Sequence, residues 1–266
     1  MNNKKKLKVT FLGTGTSTGV PMIASKNPVR FSEDEKDKRL RASIVFSWED
    51  NNEEINYIID CGPDFRQQMI KANIESIKGI LFTHEHADHI AGFDEIRPYY
   101  YQMGPVPIYS DSRVLKSLEK RYEYIFTTEN RYPSAPEVKP TIISEKDQFQ
   151  FHGIEVKPIK VMHGDLPILG YRFGNIAYLT DVKTIPDEEK EKLKDLDILI
   201  TTALRLEPHK THATLNEALE LVEELNPKKA YFSHISELLG FHADIEKDLP
   251  ENVFLAYDGL EITSYD

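Results

Sequence analysis

Cysteine is almost absent from this sequence: Cys61 is the only one among 266 residues, so no intramolecular disulfide can form. Long apolar runs are absent too, and none approaches the roughly 20 residues of a membrane-spanning helix. The basic start of the chain resembles the first part of a signal peptide, but Lys8 breaks the short apolar stretch that follows. We therefore predict a cytoplasmic protein without a membrane partner.

Positive charge is also in short supply. The chain has 33 Lys and Arg against 44 Asp and Glu, which gives a formal net charge of −11 at pH 7. Because polyanions bind basic patches, this balance argues against a broad nucleic-acid surface. A small phosphorylated substrate would instead need a local positive centre, which bound metal ions can provide.

Internal repeats, low-complexity tracts and Gly/Ser linkers are missing as well. With 40% hydrophobic and 29% charged residues, the composition is that of a globular protein that buries a sizeable core. We predict one domain over residues 1–266, and the sequence leaves a homodimer open.

The most informative segment that is present is residues 83–89, which read Thr-His-Glu-His-Ala-Asp-His directly after the apolar run 77–82. Imidazole nitrogen and carboxylate oxygen are ligands for divalent zinc, manganese or iron. An ordinary polar loop after a strand does not account for four such groups within six residues. The segment therefore predicts a metal site whose remaining ligands lie elsewhere in the chain.

Short β-rich runs alternate with helical segments along the chain, which predicts an α/β sandwich. We expect strands at residues 7–12, 43–48, 55–60, 77–82, 106–110, 154–162, 169–173, 176–180, 197–201, 229–233 and 253–257. The capping-box pattern Thr214-Leu-Asn-Glu217 predicts a helix that ends at Asn226-Pro227. Further helices are expected over residues 64–71, over residues 113–124 and in the charged segment after Pro186.

Four of the apolar runs are each followed by a potential metal ligand: His84, His163, Asp181 and His234. Taken alone, such a residue is more often a capping or core residue. Strands that end at one edge of a sheet bring their following residues together, and open α/β sheets commonly bind ligands there. Together with residues 84–89, these residues predict a shared metal site.

The combined pattern resembles the metallo-β-lactamase fold superfamily, whose His-x-His-x-Asp-His signature stands at residues 84–89. The resemblance spans residues 7–260 and implies a four-layer αβ/βα sandwich with two divalent metals, Zn or Mn with Fe as a further option, at one edge. The implied ligands are His84, His86 and His163 for one metal, Asp88, His89 and His234 for the other, and Asp181 as the bridge. Asp60 is expected to orient a ligand histidine.

The segment His209-Lys-Thr-His212 resembles phosphodiesterase branches of this superfamily, including tRNA 3′-processing endonucleases and 5-phosphoribosyl 1,2-cyclic phosphate phosphodiesterases. The resemblance implies that His212 protonates the leaving oxygen, a role suited to imidazole. The alternative is that His212 is a loop residue hydrogen-bonded to the helix start. Further candidate substrate contacts are His209, Arg97, Arg205 and His242.

Other stretches agree with the cyclic phosphodiesterase branch, among them the Gly-rich residues 13–21 and Arg41-Ala-Ser. Relatives in that branch often carry a cysteine cluster after the Gly-rich stretch, which binds a structural zinc. Residues 24–41 of this chain contain no cysteine. We therefore predict no such zinc, and this segment must be held in another way.

The leading hypothesis is a dinuclear metal hydrolase that cleaves a small cyclic or nucleotide-like phosphodiester. In this hypothesis a metal-bridging hydroxide attacks phosphorus, Asp88 and Asp181 support the reaction as ligands, and His212 is the general acid. The alternatives are a carboxylic ester or lactone hydrolase, a tRNA 3′-processing-like nuclease and a non-catalytic metal-binding module.

Overall fold

The computed structural model describes residues 5–265 and contains two seven-stranded sheets. The strands of the first sheet are β1 (Lys6–Gly13), β2 (Ser43–Asp50), β3 (Glu53–Ile59), β4 (Gly79–Leu81), β5 (Val106–Ser110), β6 (Val138–Ile142) and β14 (Glu261–Tyr265). They lie in the order β14-β1-β2-β3-β4-β5-β6. The pairs from β3 to β6 are parallel, and the pairs from β14 to β3 are antiparallel.

The second sheet is also mixed. Its strands are β7 (Phe149–Phe151), β8 (Ile154–His163), β9 (Leu166–Phe173), β10 (Ile176–Leu179), β11 (Ile198–Thr202), β12 (Lys229–Ser233) and β13 (Val253–Leu255). They lie in the order β13-β12-β11-β10-β9-β8-β7, and β10 to β13 run parallel to one another. The parallel strands of both sheets therefore each have a common carboxyl edge.

Eight α-helices connect and cover these strands in the described part of the chain. They are α1 (Phe65–Ala72), α2 (Ala87–Ile90), α3 (Arg97–Met103), α4 (Ser112–Arg121), α5 (Glu123–Phe126), α6 (Asp187–Lys190), α7 (Leu215–Leu225) and α8 (His242–Glu246). Short 3₁₀ turns cover Pro28–Phe31, Glu35–Asp37, Phe93–Ile96 and Glu191–Leu193. Within residues 5–265, no helix is long and apolar enough to cross a bilayer.

Three apolar cores separate the layers. Phe46, Tyr171 and Tyr178 belong to the core between the sheets. A second core joins the outer face of the first sheet to α1 and α4, and a third joins the outer face of the second sheet to α7. The order of layers is helix, sheet, sheet, helix, which confirms the predicted four-layer αβ/βα sandwich.

Local sequence signals explain many of the element bounds. The Thr214 side chain accepts a hydrogen bond from the Glu217 N–H, and Glu217 in return accepts one from the Thr214 N–H at 2.8 Å, as a capping box requires. Helix α7 then ends at Asn226, which adopts a left-handed conformation with φ 45°. This helix was predicted with the same cap and the same end.

Every strand predicted from the sequence is present, while β6, β7 and β14 were not predicted. The charged helix predicted after Pro186 is present and short: α6 has four residues, and a 3₁₀ turn follows. Leu193 of that turn is fully buried, and Asp195 takes a left-handed φ of 56°, so the chain turns into the core instead of continuing as a helix. The predicted helix over residues 113–124 is likewise divided, because Tyr122 leaves the helical conformation.

Candidate metal centre

The segment after β4 places two histidines against the end of β8. His84 is fully buried, whereas His86 is exposed and precedes the single turn of α2. His84 Nε2 lies 2.9 Å from His86 Nδ1. One ring nitrogen from each of His84, His86 and His163 lies within 4.8 Å of the other two, so the three can bind one cation.

A second group forms beside the first. Ligand atoms of Asp88, His89, Asp181 and His234 all lie within 4.8 Å of one another. His89 Nε2 is 3.2 Å from Asp88 Oδ2, and His234 Nε2 is 3.2 Å from Asp181 Oδ1. These donors come from α2 and from the residues after β10 and β12, so both sheets contribute to the group.

Asp181 lies between the two groups. Its Oδ1 is 3.3 Å from His89 Nε2 and 3.2 Å from His234 Nε2. Its Oδ2 is 3.8 Å from His84 Nε2 and 3.1 Å from His212 Nε2. The two carboxylate oxygens therefore face different sets of imidazoles.

Three of these strand ends use a backbone conformation that is uncommon for residues with a side chain. The φ angles of Asp60, Asp181 and His234 are 66°, 57° and 54°. Left-handed φ values in non-glycine residues are disfavoured by steric contact and are concentrated at functional sites. At each position the chain turns directly after a strand, so that the side chain faces the common edge.

Several buried nitrogens in this cluster have no hydrogen-bond partner among residues 5–265. They are Nε2 of His89 and both ring nitrogens of His234. Leaving a buried polar atom unpaired costs about 1–3 kcal/mol. Imidazole nitrogens and carboxylate oxygens that converge on one centre suit a divalent cation of the Zn, Mn or Fe type. The residues present therefore fit a metal centre.

The electrostatics lead to the same conclusion. Burial opposes charge on His89, yet the carboxylates of Asp181, Asp88 and Asp60 raise its pKa well above the ordinary value. Burial also opposes ionisation of Asp181, but His234, His89 and His212 hold the pKa of its carboxyl well below the usual range. The centre of the cluster thus favours positive charge.

Asp60 contacts His89 on the side away from the cluster. Its Oδ2 accepts a hydrogen bond from His89 Nδ1 at 2.7 Å, and its Oδ1 accepts one from the Thr83 N–H at 2.8 Å. This bond assigns the proton to Nδ1 and leaves His89 Nε2 facing the cluster. His163 is fixed similarly, since its Nδ1 donates to the Thr211 carbonyl at 2.9 Å.

His212 lies at the edge of the cluster, next to both Asp181 and His209. Its Nδ1 is 3.0 Å from Thr211 Oγ1 and 3.1 Å from His209 Nδ1. Burial lowers the pKa of His212 to about 4, although the hydrogen bond to Asp181 acts in the opposite direction. Ligand atoms of His163, Asp181 and His212 also lie within 4.8 Å of one another. His212 is therefore placed either to exchange a proton with a bound group or to be a ligand of a cation.

Two of the expected substrate contacts lie elsewhere. Arg97 donates to both oxygens of Asp94 at 2.6 and 2.7 Å, and no contact within residues 5–265 joins it to the cluster. His242 is buried: Arg39 Nη2 lies 3.0 Å from its Nδ1, and Glu246 lies 3.0 Å from its Nε2. Since each side chain already has strong partners in its own region, neither reaches the candidate site.

Arg205 is closer to the site but is also engaged. Its guanidinium donates to the carbonyls of Glu207 and Pro208 at 3.0 and 2.6 Å. Burial lowers the pKa of His209, and the positive charge of Arg205 lowers it further. Thr83 and Thr211 were not predicted from the sequence, although each stands directly before His84 or His212 and contacts a histidine ring of the cluster through its hydroxyl or carbonyl.

Known proteins share sequence and fold with this chain. The family model of the beta-lactamase superfamily domain matches residues 55–235. A solved structure described as a new diphosphatase from the PhnP family superposes with a TM-score of 0.89 at 37% identity, covering 98% of each chain.

Two curated proteins are also similar. An octanoyltransferase from Porphyromonas gingivalis is 38% identical over 96% of this chain and 51% of its own length. The exodeoxyribonuclease YycJ from Bacillus anthracis is 28% identical over 48% of this chain and 45% of its own length. The chain thus spans about half the length of these curated relatives.

Proposed function

The chain belongs to the beta-lactamase superfamily and has the metallo-β-lactamase hydrolase fold, and from this premise we propose that it is a dinuclear metal-dependent phosphodiesterase. The proposed substrate is a small cyclic or nucleotide-like phosphodiester. The proposed cofactors are two divalent ions, Zn²⁺ or Mn²⁺, with Fe also compatible with the N/O donor set.

The observation that carries this proposal is the position of Asp181 between two sets of imidazoles. In the proposed assignment His84, His86 and His163 would hold one ion, Asp88, His89 and His234 would hold the other, and Asp181 would be shared between them. Oδ1 lies within 3.3 Å of His89 and His234, while Oδ2 faces His84. A carboxylate arranged in this way suits a pair of ions that share one ligand.

When bound, such ions activate water and neutralise charge that develops on a phosphoryl group. The residues of the chain supply the remaining steps. Asp60 holds His89 in the tautomer that presents Nε2, and the buried walls around the cluster limit access of bulk water. The scissile phosphoryl group binds at the exposed side of the cluster, where His86 and Asp88 reach the surface.

His212 is the proposed general acid. Its Nε2 faces the cluster at 3.1 Å from Asp181 Oδ2, in position to pass a proton to a leaving oxygen held beside it. Although burial lowers the pKa of His212, an anionic phosphodiester next to the ring favours the protonated form. His209, in contact with His212 Nδ1, is proposed to keep the ring oriented.

The names of two relatives support phosphoryl-transfer chemistry, since one is a diphosphatase and the other an exodeoxyribonuclease. A nuclease is therefore the second candidate, although the net charge of −11 disfavours a long polyanion. The octanoyltransferase name belongs to a protein of about twice the matched length. Acyl transfer through a thiol finds no support in Cys61, which is buried and whose pKa burial raises well above its ordinary value.

The test is hydrolysis of bis(p-nitrophenyl) phosphate beside p-nitrophenyl acetate, with Mn²⁺ or Zn²⁺ added. We expect phosphodiester turnover that falls more than about 100-fold in Asp181→Ala, because a ligand should matter more than the groups that merely orient ligands. In a second assay with adenosine 2′,3′-cyclic phosphate, whose leaving oxygen is an alkoxide, His212→Ala should lower turnover about 10²- to 10⁴-fold. Acetate turnover that exceeds diester turnover and resists His212→Ala would favour the ester hydrolase instead.

A further inference from the structure

Arg113 joins the segment after β4 to the second half of the fold. Its Nε lies 3.2 Å from Glu85 Oε2, and its Nη2 donates a hydrogen bond to the Pro167 carbonyl at 2.7 Å. Nη2 also lies 3.5 Å from Asp111 Oδ2, at the start of the same helix, α4. Arg113 therefore connects a residue that follows β4 with a residue of β9, although these two strands belong to different sheets.

This link continues a series of contacts between β9 and the end of β4. Tyr171 Oη donates to the Phe82 carbonyl at 2.6 Å, and the Leu169 N–H donates to the Thr83 carbonyl at 3.1 Å. Two positions nearer the start of β9 stands a proline, which has no N–H to donate. The Arg113 side chain makes the third contact of the series in place of such a bond, and so extends it to the edge where the candidate metal centre lies.

Both ends of the link lie beside proposed metal ligands. Glu85 stands between His84 and His86 in the sequence. Pro167 lies in the hairpin of β8 and β9, and β8 ends at His163. The link therefore spans the two segments that supply the first group of ligands.

The ring of His86 has little else to hold it. His86 is exposed, and within residues 5–265 its ring hydrogen-bonds only to His84, another member of the cluster. The rings of His89 and His163, by contrast, each bond to a partner outside the cluster. The His86 carbonyl accepts from the His89 N–H at 3.0 Å, which fixes the backbone on one side. On the other side stands the preceding residue, whose side chain Arg113 holds.

The facing atoms of the ion pair are shielded from water. Arg113 Nε and Glu85 Oε2 are buried and make no hydrogen bond within residues 5–265, while the two side chains as a whole are 33% and 22% exposed. Buried charges are screened by salt much less than exposed ones. The attraction between Arg113 and Glu85 is therefore a lasting restraint on this segment.

We propose that Arg113 is a positioning residue of the metal centre. By holding both ends of the link at once, it sets the separation between the segment of His84 and His86 and the end of β8 at His163. These three histidines would hold one ion, and a metal site needs its ligands held close to their working positions before the ion arrives. The inference rests on the metal centre of the proposed function, and not on the reaction proposed for it.

The second group of ligands has anchors of its own. His89 Nδ1 donates to Asp60 Oδ2 at 2.7 Å, and the His89 carbonyl accepts from the Cys61 N–H at 2.8 Å. Neither bond involves Arg113. Loss of Arg113 should therefore weaken the binding of one ion more than that of the other.

The test measures the two Zn²⁺ dissociation constants of the full chain by competition with a chromophoric chelator. His86→Ala identifies which of the two belongs to the first group of ligands. Arg113→Met keeps much of the side-chain bulk but removes the charge, and it should raise that same Kd about tenfold, as expected for a group that orients ligands. The other Kd should change little. Arg121→Met removes an exposed arginine at the end of the same helix and should change neither Kd.

Two further variants separate positioning from a general loss of stability. Arg113→Lys keeps a charge but has no fork to bridge both partners, so it should restore part of the affinity. Glu85→Gln breaks the link from its other end and should raise the same Kd. The double variant should raise it no further than Arg113→Met alone, because both changes break one link. The urea midpoint of the metal-free Arg113→Met protein should stay close to that of Arg121→Met.

The positioning role is overturned by an equal rise of both Kd values, by two unchanged values, or by effects of Glu85→Gln and Arg113→Met that add in full. If Arg113→Met does not fold, Glu85→Gln and Arg113→Lys decide the question by the same criterion. A wild type that binds no Zn²⁺ overturns this inference together with the metal centre. Two bound ions without hydrolysis of any phosphodiester would refute the proposed reaction alone and leave the positioning role standing.

Discussion

Two buried polar assemblies lie close together in this fold and differ in how they satisfy their polar atoms. The first is the His/Asp cluster of His84, His86, Asp88, His89, His163, Asp181 and His234. The second, here named the Arg39 network, consists of Arg39, His242, Asp37, Glu246, Thr14 and Asp258. Both combine imidazole with carboxylates in largely buried surroundings, yet among residues 5–265 only the first leaves buried ring nitrogens without hydrogen-bond partners.

The Arg39 network closes on itself. Arg39 Nη1 donates to Thr14 Oγ1 at 2.9 Å and to the Ala256 carbonyl at 2.5 Å, and its Nη2 lies 3.0 Å from His242 Nδ1. The His242 N–H donates to Asp37 Oδ1 at 2.7 Å. Residues 24–41 contain no cysteine and were predicted to be held without a structural zinc. These bonds anchor that segment.

The comparison separates structural from functional polar groups. In the Arg39 network both Nη atoms of Arg39 and both ring nitrogens of His242 meet partners supplied by the chain, so the network stabilises one conformation and needs no ligand. In the His/Asp cluster the Nε2 atoms of His89 and His234 face carboxylates around a shared centre without making a hydrogen bond, so the chain alone leaves the cluster incomplete. The same residue types thus serve opposite purposes, and the difference lies in their partners.

The largest expected effect comes from opening the closed network. Arg39→Met removes a buried charge and leaves its partners unpaired, so we expect the free energy of unfolding to fall by about 3–5 kcal/mol. Urea denaturation followed by circular dichroism measures this change. Arg30→Met, at an exposed position of the same segment, is the control and should cost little. Equal stability of the two variants would show that the network does not hold this segment.

A smaller effect is expected from weakening the hydrogen bond between Asp60 and His89, which joins the His/Asp cluster to its surroundings. Asp60→Asn keeps the shape of the side chain but weakens the acceptor that fixes His89 Nδ1–H. We expect metal affinity to fall about 10- to 100-fold. Competition with a chromophoric chelator measures the affinity. An unchanged affinity would mean that the His89 tautomer is set by something other than Asp60.

The smallest effect concerns the pH dependence of stability. Burial raises the pKa of Asp258 to about 6 from an ordinary value of 3.8, against hydrogen bonds from Leu40 and Thr14. Because the folded chain binds this proton more tightly than the unfolded chain, its stabilising contribution is complete below pH 3.8 and is lost as pH rises through about 6.

The matching variant is Asp258→Asn. Between pH 4 and pH 7, the unfolding free energy of wild type minus that of the variant should fall by about 1–2 kcal/mol, after allowance for partial exposure. Denaturation curves at several pH values give this difference. A difference that grows with pH would reverse the assigned direction of the shift.

The sequence predicts the candidate site better than its surroundings, and the reason is physical. His163 ends strand β8, and His84, Asp181 and His234 stand shortly after β4, β10 and β12, whose buried residues are mostly apolar, so both the strands and their ends can be predicted. Strand β6 gave no such signal, because its residues are mostly exposed at the sheet edge and include Pro140. Strand β14, which was not predicted either, is likewise an edge strand, and only alternate residues of it are buried.

Side-chain partners outside the motif could not be predicted from local sequence. Arg39 and His242 are 203 residues apart, and only the packed fold brings them together. For the same reason His242 and Arg97 looked like substrate contacts: their residue types suit phosphate, but their neutralising partners are visible only in three dimensions. Local patterns indicate which residues have the right chemistry, whereas tertiary contacts decide which of them are free to use it.

The central claim is that the open cluster holds a pair of divalent ions bridged by Asp181. Elemental analysis after loading with Mn²⁺ or Zn²⁺ and gel filtration tests it most directly. The account predicts two ions per chain in the wild type and in the folded fraction of the Arg39→Met variant. In the Asp181→Ala variant it predicts at most one ion per chain. A single ion in wild type, or two ions that persist in Asp181→Ala, would contradict it.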